Sequence, residues 1–337
     1  MSKGAPTLED VARVAGVSRA TVSRVVNGTR NVDPELRETV RNAIEQTGYT
    51  PNRVARSLVT RRTGTVALVI SGAGGGSDVF TDPFFGRVTA GVVDFLRLRA
   101  VHPVLMLADS DEARTEVVEF LRQGSADGAL LVTTHSADPL PARLLEASVP
   151  AVLYARPGRS MPVSYVDMDH RAGGGMAADH LVAAGRTTIT TISGPLDVPA
   201  SQDRHNGFRD AMARHGFPYV PAAEGGFTAE SGAAAMERLL LDCPGLDAVF
   251  AANDLMAQAA VFVLQAHGKR VPEDVAVIGF DDSSPALACR PQLTTVRQPV
   301  EEMAAAMAEL LLESLEKPGQ RPRSVIFEPE LVVRASA

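Results

Sequence analysis

Two groups of side chains in this sequence have types and spacings that fit specific chemistry. The first is Arg19, Ala20, Ser23, Arg24 and Asn27, inside the stretch TLEDVARVAGVSRATVSRVVN. At helical spacing they share one face, while Val22, Val25 and Val26 share the other. Arginine can make a two-pronged hydrogen bond to a guanine edge, and hydroxyls and amides hold phosphate oxygens, so this face suits a DNA major groove. The second group is scattered along the chain: Asp82-Pro83-Phe84-Phe85, Arg204, Asn253-Asp254, Asp281-Asp282 and Gln298. Carboxylates, an amide and a guanidinium bond neighbouring sugar hydroxyls in pairs, and an aromatic ring covers the apolar C–H face of a pyranose.

The elements that position the first group are short. Leu8, Val11, Ala12 and Ala15 fall at i, i+3, i+4 and i+7 and predict a helix with one apolar side. Gly16 permits a tight turn, and Ser18 is a candidate N-cap for the second helix. Turn, cap and face agree with a helix-turn-helix rather than a solvated hairpin. A third helix is expected from Pro34, capped by Asp33 and ended by Gly48, with Leu36, Val40, Ala43, Ile44 and Thr47 turned inward. Three such helices hold little core. Beyond Pro51, Asn52 can cap a further helix from Arg53 to about Val59, too short to persist alone in water.

The second group needs a different frame. From Thr65 onward the runs TVALVI, HPVLML, DGALLVT, PAVLYA, TITTIS, LDAVFAA and VAVIGF read as buried strands. Amphipathic segments such as FFGRVTAGVVDFLRLR and DLMAQAAVFVLQAHG separate them, which is the alternation of a parallel sheet covered by helices. Ligands of such sheets sit beyond the carboxyl ends of the strands, where each member of the second group falls. Several members have a structural reading as well: Asp254 and Asp282 stand where helix N-caps would be, and Phe84 could be core. Arg204 reads as a lone arginine at a cleft edge in need of a partner. The Gly-rich GAGGGS lacks the Lys-Ser/Thr of a phosphate loop and reads as a flexible connection.

Composition narrows the class. The chain has 337 residues, 45% hydrophobic and 22% charged, enough for two or three globular domains. Residues 1–62 hold 11 Lys+Arg against 6 Asp+Glu, a net charge of +5, and the remainder 22 against 34, a net −12. A basic head on an acidic body fits a DNA-reading module joined to something else. No apolar run is long enough for a membrane span, and the polar MSKGAPTLED is unlike a signal peptide, so a cytoplasmic protein with no membrane partner is expected. Cys243 and Cys289 lack metal-ligand spacing and read as reduced core thiols; no cofactor or metal is expected.

The head motif, its continuation NVDPELRETVRNAIEQTGYTPNRVARSL and the large remainder together resemble the LacI/GalR family of bacterial transcription regulators, over nearly the whole chain. The resemblance implies an α/β protein: a small all-α helix-turn-helix head plus a two-lobed, periplasmic-binding-protein-like core of parallel sheets. It places the head at 1–51, a hinge helix and linker at 52–63, and an effector-binding and dimerisation core at 64–337. Lobe one would take 64–162 plus 294–322, and lobe two 163–293 plus 323–337. A homodimer would straddle a pseudo-palindromic operator. Arg19, Ala20 and Arg24 would read bases, and Thr7, Ser18, Thr21, Ser23, Asn27 and Tyr49 would hold phosphates. Asn52, Arg53, Val54 and Ala55 would form the hinge, with Leu58 as a minor-groove wedge. In the core, Asp82, Phe84 and Phe85 would make an aromatic wall, and Arg204, Asn253, Phe280, Asp281 and Gln298 the anchors.

Some positions depart from the family pattern. Asp169-His170 stands where many relatives have Asp-Asn, with His170 expected to be an exposed helix-start residue. Ala155-Arg156 lacks the acid that members binding monosaccharides carry, and Val198 replaces the arginine of the purine-responsive branch. The segments DPFFGRVTAGVVDFLR, SGPLDVPASQDR and FDDSSPALAC are most similar to cellobiose-type repressors. The expected function is therefore a non-enzymatic, sugar-responsive repressor of carbohydrate-utilisation genes, with cellobiose or a cello-oligosaccharide as inducer. Another mono- or disaccharide is the alternative effector. A glycosidase would need an acid and a nucleophile across one bond, which no spacing here provides. A transport receptor would carry an export signal and no basic head.

Overall fold

The computed structural model describes residues 6–26, 32–49, 62–72, 81–133 and 135–337. Asn27, Asn52, Arg53, Val54, Ala55 and Leu58, and all of GAGGGS except Gly72, lie outside them. The chain divides into two compact units, Met1–Gly64 and Thr65–Ala337.

In the first unit α1 (Leu8–Ala15) starts at a capping box: Thr7 Oγ1 accepts from the Asp10 amide, and the Asp10 carboxylate accepts from the Thr7 amide. Gly16 ends it with φ +66°, a left-handed conformation that a Cβ would strain. Ser18 Oγ accepts from Thr21 N at 3.1 Å, which is the expected cap on α2 (Arg19–Val26). In α3 (Pro34–Thr47) Asp33 caps the start through Glu35 N at 2.8 Å. Val11, Val22, Val40, Ala43 and Tyr49 form the small core. Leu36 departs from expectation: it is 41% exposed, because the three helices are too few to cover the outer edge of the α3 apolar stripe.

The second unit contains two six-stranded sheets. The first has the order β11-β5-β4-β3-β1-β2, with β1 Thr65–Ser71, β2 His102–Ala108, β3 Ala129–Thr133, β4 Ala151–Tyr154, β5 Ser164–Met168 and β11 Ser324–Phe327. The second has the order β12-β10-β9-β8-β6-β7, with β6 Ile189–Ser193, β7 Ala222–Glu224, β8 Ala248–Ala251, β9 Ala276–Asp281, β10 Thr294–Arg297 and β12 Glu330–Val332. All pairings are parallel except β10 with β12, an antiparallel edge. The seven expected runs are all strands, and β1, β3, β4, β6, β8 and β9 are almost wholly buried.

The crossings between the sheets differ from the boundaries expected at 162/163, 293/294 and 322/323. In each case the next strand still pairs on the earlier side: β5 in the first sheet, β10 in the second, β11 in the first again. A strand completes its hydrogen bonds before the chain leaves a sheet, so each crossing falls after the strand instead of before it. The helix Val300–Glu316 then returns to the first lobe, where Met303, Ala304, Met307 and Leu311 join its core.

Two glycines set the packing that matters most for the cleft. The helices His170–Ala183 and Pro199–Arg214 touch backbone to backbone. A Cβ on Gly174 would lie 2.1 Å from Arg204 O, and one on Gly207 1.9 Å from Arg171 O. Only glycine at both positions lets the helices approach this closely.

Candidate functional site

A cavity of about 310 Å³ opens beyond the carboxyl ends of the strands, lined by Asp82, Phe84, Phe85, Arg204, Asn253 and Asp281 among others. A smaller chamber of about 70 Å³ adjoins it and shares Phe84, Val198 and Arg204, adding Tyr154, Arg156, His170 and Gln298. Six of the eight core residues expected from sequence therefore line the larger space and Gln298 the smaller. Phe280 lines neither. Its ring is fully buried beneath the Arg204 guanidinium, 3.7 Å from ring centroid to guanidinium carbon, so it supports an anchor and offers no surface to a ligand.

Arg204 is the hub, and it is neither alone nor at an edge. It is 6% exposed and donates to Ala252 O, to His170 Nδ1 at 3.2 Å and to Gln298 Oε1 at 2.9 Å. Burial pulls the guanidinium below arginine's usual value, opposed by the charge of Asp281. An arginine stays protonated regardless, so the cluster contains a fixed cation. Gln298 passes the network on through Nε2, which donates to the Tyr154 hydroxyl at 3.1 Å.

His170 corrects the expectation of an exposed helix-start residue: it is 4% exposed. Asp169 caps the helix through Ala172 N, leaving the imidazole free to turn inward. Its Nδ1 accepts from Arg204, while Nε2 faces Asp167 Oδ1 at 3.5 Å. Burial and the Arg204 charge lower its pKa, so the ring is neutral with the proton on Nε2. The sequence hid this because a histidine at a helix start carries no periodic signal for inside or outside.

Asp281 ends β9 in a strained backbone conformation, φ +105°. Its Oδ1 lies 3.3 Å from Arg204 Nη1, yet the alignment makes no hydrogen bond and the buried oxygen has no partner. Burial raises this carboxyl to about 7, with Arg204 pulling down and Asp254 and Asp82 pushing up. An unmet buried acceptor is unfavourable by itself, and a ligand hydroxyl reaching it would relieve that.

The neighbouring acids have other duties. Asp82 caps the helix Pro83–Arg97 through Phe84 N at 2.9 Å, and burial raises its pKa. Asp254 is not a cap: Asn253 caps that helix through Met256 N. Asp254 is fully buried and accepts from Ser283 N, Ser283 Oγ and Thr295 Oγ1, and burial lifts it to about 6. Asp282 is bound instead by Arg297 at 2.8 Å and by Arg334. Neither acid faces the cavity, so the paired-carboxylate reading has no geometric support.

The walls are aromatic. Phe84 meets Phe85 and Tyr154 edge to face, with centroids 5.1 and 5.3 Å apart. Phe227 also lines the cavity and was not anticipated. Its φ is +63°, its carbonyl accepts from Asn253 Nδ2, and its ring lies where a side chain on Gly194 would be, 2.3 Å from that Cβ position. Nothing in GGF announces this conformation. Tyr154 was legible in principle, since it is the last residue of a buried strand.

On α2 of the head, Ser18, Arg19, Ala20 and Arg24 are exposed and Thr21 and Ser23 half-buried. Arg19 pairs with Glu9 at 3.1 Å. Thr7 spends its hydroxyl in the capping box, and Tyr49 is 8% exposed with its ring in the core. Among the described residues there is no metal-binding group of His, Cys, Asp and Glu, and no helix long and apolar enough to cross a membrane. Cys243 and Cys289 are both free, the first half-buried and the second buried.

A helix-turn-helix head followed by a two-lobed core with a ligand-sized cleft defines a DNA-binding regulator governed by a small molecule. Residues 7–52 match the bacterial regulatory proteins of the lacI family, and residues 178–337 match the periplasmic binding protein-like domain. The chain is 45% identical to the HTH-type transcriptional regulator CelR of Thermobifida fusca, over 98% of both proteins. A solved CelR–cellobiose complex is 43% identical, with TM-score 0.78, covering 98% of this chain and 100% of that one. The lac repressor dimer bound to operator and the anti-inducer ONPF is 26% identical, with TM-score 0.85 and 98% of each chain covered. The chain belongs to the LacI family of bacterial transcription regulators, and its relatives there are regulators of transcription, not enzymes.

Proposed function

We propose that this protein is a cytoplasmic, homodimeric repressor that leaves its operator when cellobiose or a short cello-oligosaccharide enters the cleft. The observation that carries the effector is the full-length likeness to a regulator solved with cellobiose. The cleft supplies what such a ligand needs. Every ring substituent of a β-linked glucose unit is equatorial, so both faces of the sugar are flat and apolar. Phe84 on the first lobe and Phe227 on the second offer aromatic surface to those faces, while Arg204 and the unpaired Asp281 Oδ1 meet the rim hydroxyls.

In this reading α2 enters the major groove. Arg19, Ala20 and Arg24 touch bases, and Thr7, Ser18, Thr21, Ser23, Asn27 and Tyr49 position the head on phosphates. Residues 52–63 act as the hinge, with Asn52, Arg53, Val54, Ala55 and Leu58 in the minor groove. Val93, Val104, Leu105, Phe262 and Leu287 are exposed apolar residues on the core and are available to a second copy. Binding that reorients the first lobes separates the two hinge starts, and helices this short then melt.

The test is a titration of cellobiose, cellotriose, glucose, lactose and ribose into the protein bound to a fluorescent duplex selected from a random pseudo-palindromic pool. Release by the cello-sugars at concentrations where ribose does nothing supports the reading. Release by another sugar alone reassigns the effector, and release by none removes the sugar from the account.

A further inference from the structure

We propose that Arg87 is a positioning residue for the effector response: it locks the cleft's aromatic wall to the backbone that carries Asp281 and Gln298. This rests on the cleft being the effector site. Arg87 lies on the helix Pro83–Arg97, one turn after Phe84, with its side chain 21% exposed. Its guanidinium reaches out of the first lobe. Nη1 donates to Asp281 O at 2.9 Å, Nη2 to Gln298 O at 3.2 Å, and Nε and Nη2 both to the Glu301 carboxylate at 2.7 Å.

The three acceptors are not a random set. Asp281 ends β9 and Gln298 directly follows β10, two parallel strands in register so that Arg297 sits opposite Asp281. Glu301 stands in the first turn of the helix that takes the chain back to the first lobe. That helix is pressed against the Arg87 helix: a Cβ on Gly91 would lie 2.5 Å from Glu301 O. The guanidinium therefore clasps the crossover at Gln298–Val300 and holds two second-lobe carbonyls against a first-lobe helix.

The consequence for the site is direct. The Asp281 carboxyl points into the cavity only while its backbone keeps φ +105°, a region that favours glycine. A charged donor on its carbonyl helps hold that conformation. Gln298 presents Oε1 to Arg204 from the adjoining strand end, so the ion partner of the hub, Asp281, and one of its hydrogen-bond acceptors depend on the same clasp. Lysine would not replace this residue. A single ammonium is a point charge and has no planar fork to serve a bidentate carboxylate and two diverging carbonyls.

The experiment uses the full-length protein on its selected duplex, with Arg87→Lys and Glu301→Gln beside the wild type. Cellobiose affinity is measured by calorimetry, and operator affinity, the sugar needed for half-release and Tm are measured alongside. Arg87→Lys is expected to raise the half-release concentration by about tenfold or more, within the usual range of allosteric coupling. Its operator affinity without sugar is expected to stay at the wild-type level. Glu301→Gln keeps one acceptor for Arg87 and both carbonyl bonds but loses the second carboxylate oxygen, so its half-release concentration should move much less than that of Arg87→Lys. A clasp that merely stabilised the fold would lower Tm and shift operator affinity in both variants without separating their sugar responses. The inference is overturned if wild type and Arg87→Lys release at the same cellobiose concentration, or if Glu301→Gln loses the response equally. A wild type that binds no cellobiose overturns the effector reading itself and this inference with it.

Discussion

Arg204 lies over the face of Phe280, its guanidinium carbon 3.7 Å from the centroid of a ring with no solvent exposure. The two residues come from different elements, the helix Pro199–Arg214 and strand β9, and each needs the other. The ring gives a buried cation a negative π face, and the cation holds the ring down at the floor of the cleft. Replacing Arg204 by Met removes the hub, leaving Gln298 Oε1, His170 Nδ1 and Ala252 O without their donor and Asp281 without its counter-charge. The expected loss is roughly 3–5 kcal/mol of core stability, the range for breaking a buried charged pair. Chemical denaturation of the full-length protein measures it, and a loss under about 1 kcal/mol would show that the cluster relaxes around the gap.

Asp281 makes stability depend on pH with a definite sign. Its carboxyl titrates at about 7 in the folded protein against an ordinary value of 3.8. Between those values the folded state keeps a proton that the unfolded state has released. The stability this supplies is complete below the lower value and lost as pH rises through the upper one. His170, held neutral by burial, acts in the opposite sense and only on the acid side of its ordinary 6.5. Above the ordinary 6.5 of His170 only Asp281 acts, so Tm without sugar is expected to fall from pH 6.5 through about 7 and then level off, and Asp281→Asn should flatten that fall. If a sugar hydroxyl donates to Asp281 Oδ1, cellobiose affinity rises over the same interval. A Tm profile identical in wild type and Asp281→Asn would rule the group out.

The approach of two glycine-bearing helices decides whether Arg204 can reach His170 at all. Gly174→Ala puts a methyl 2.1 Å from Arg204 O, and Gly207→Ala one 1.9 Å from Arg171 O, both against backbone that has no room to give. Each substitution should force the helices apart and destabilise the core by roughly 1–3 kcal/mol, as overpacking does. Gly216→Ala is an informative contrast. Its φ of +88° makes it strained, but nothing lies within 4 Å, so it should cost stability without disturbing the cleft. A sugar titration separates the cases: Gly174→Ala loses cellobiose binding and Gly216→Ala keeps it.

These residues also mark what the sequence could reveal. The head was legible because its caps and turns are local: Ser18, Asp33, Gly16 and Gly48 stand within a few residues of the amides and dihedrals they serve. The strands were legible because parallel sheets buried on both faces demand continuous apolar runs. The carboxyl-end rule then brought Asp82, Arg204, Asn253, Asp281 and Gln298 to one cleft. What stayed hidden depends on long-range contact. His170 turns inward because Arg204, 34 positions away, donates to it, and Phe227 is held by Asn253, 26 positions away. Arg87 meets partners about two hundred residues further on, and no local pattern encodes such a meeting.

Arg24 tests the other end of the molecule. It is exposed on α2, opposite buried Val22, and no acid among the described residues pairs with it, unlike Arg19 with Glu9. If α2 enters the groove as proposed, this guanidinium is available for the two acceptors of a guanine edge. Arg24→Ala is expected to weaken operator binding by roughly 1–3 kcal/mol and to relax preference at one base position in each half-site. The salt slope should stay near its wild-type value, because a base contact releases no phosphate counterion. Selection from a random duplex pool, repeated with the variant, reads the base preference. Anisotropy at two salt concentrations reads the slope. A variant that weakens on every duplex alike, with a shallower slope, would instead make Arg24 a phosphate contact and leave base reading to Arg19 and Ala20.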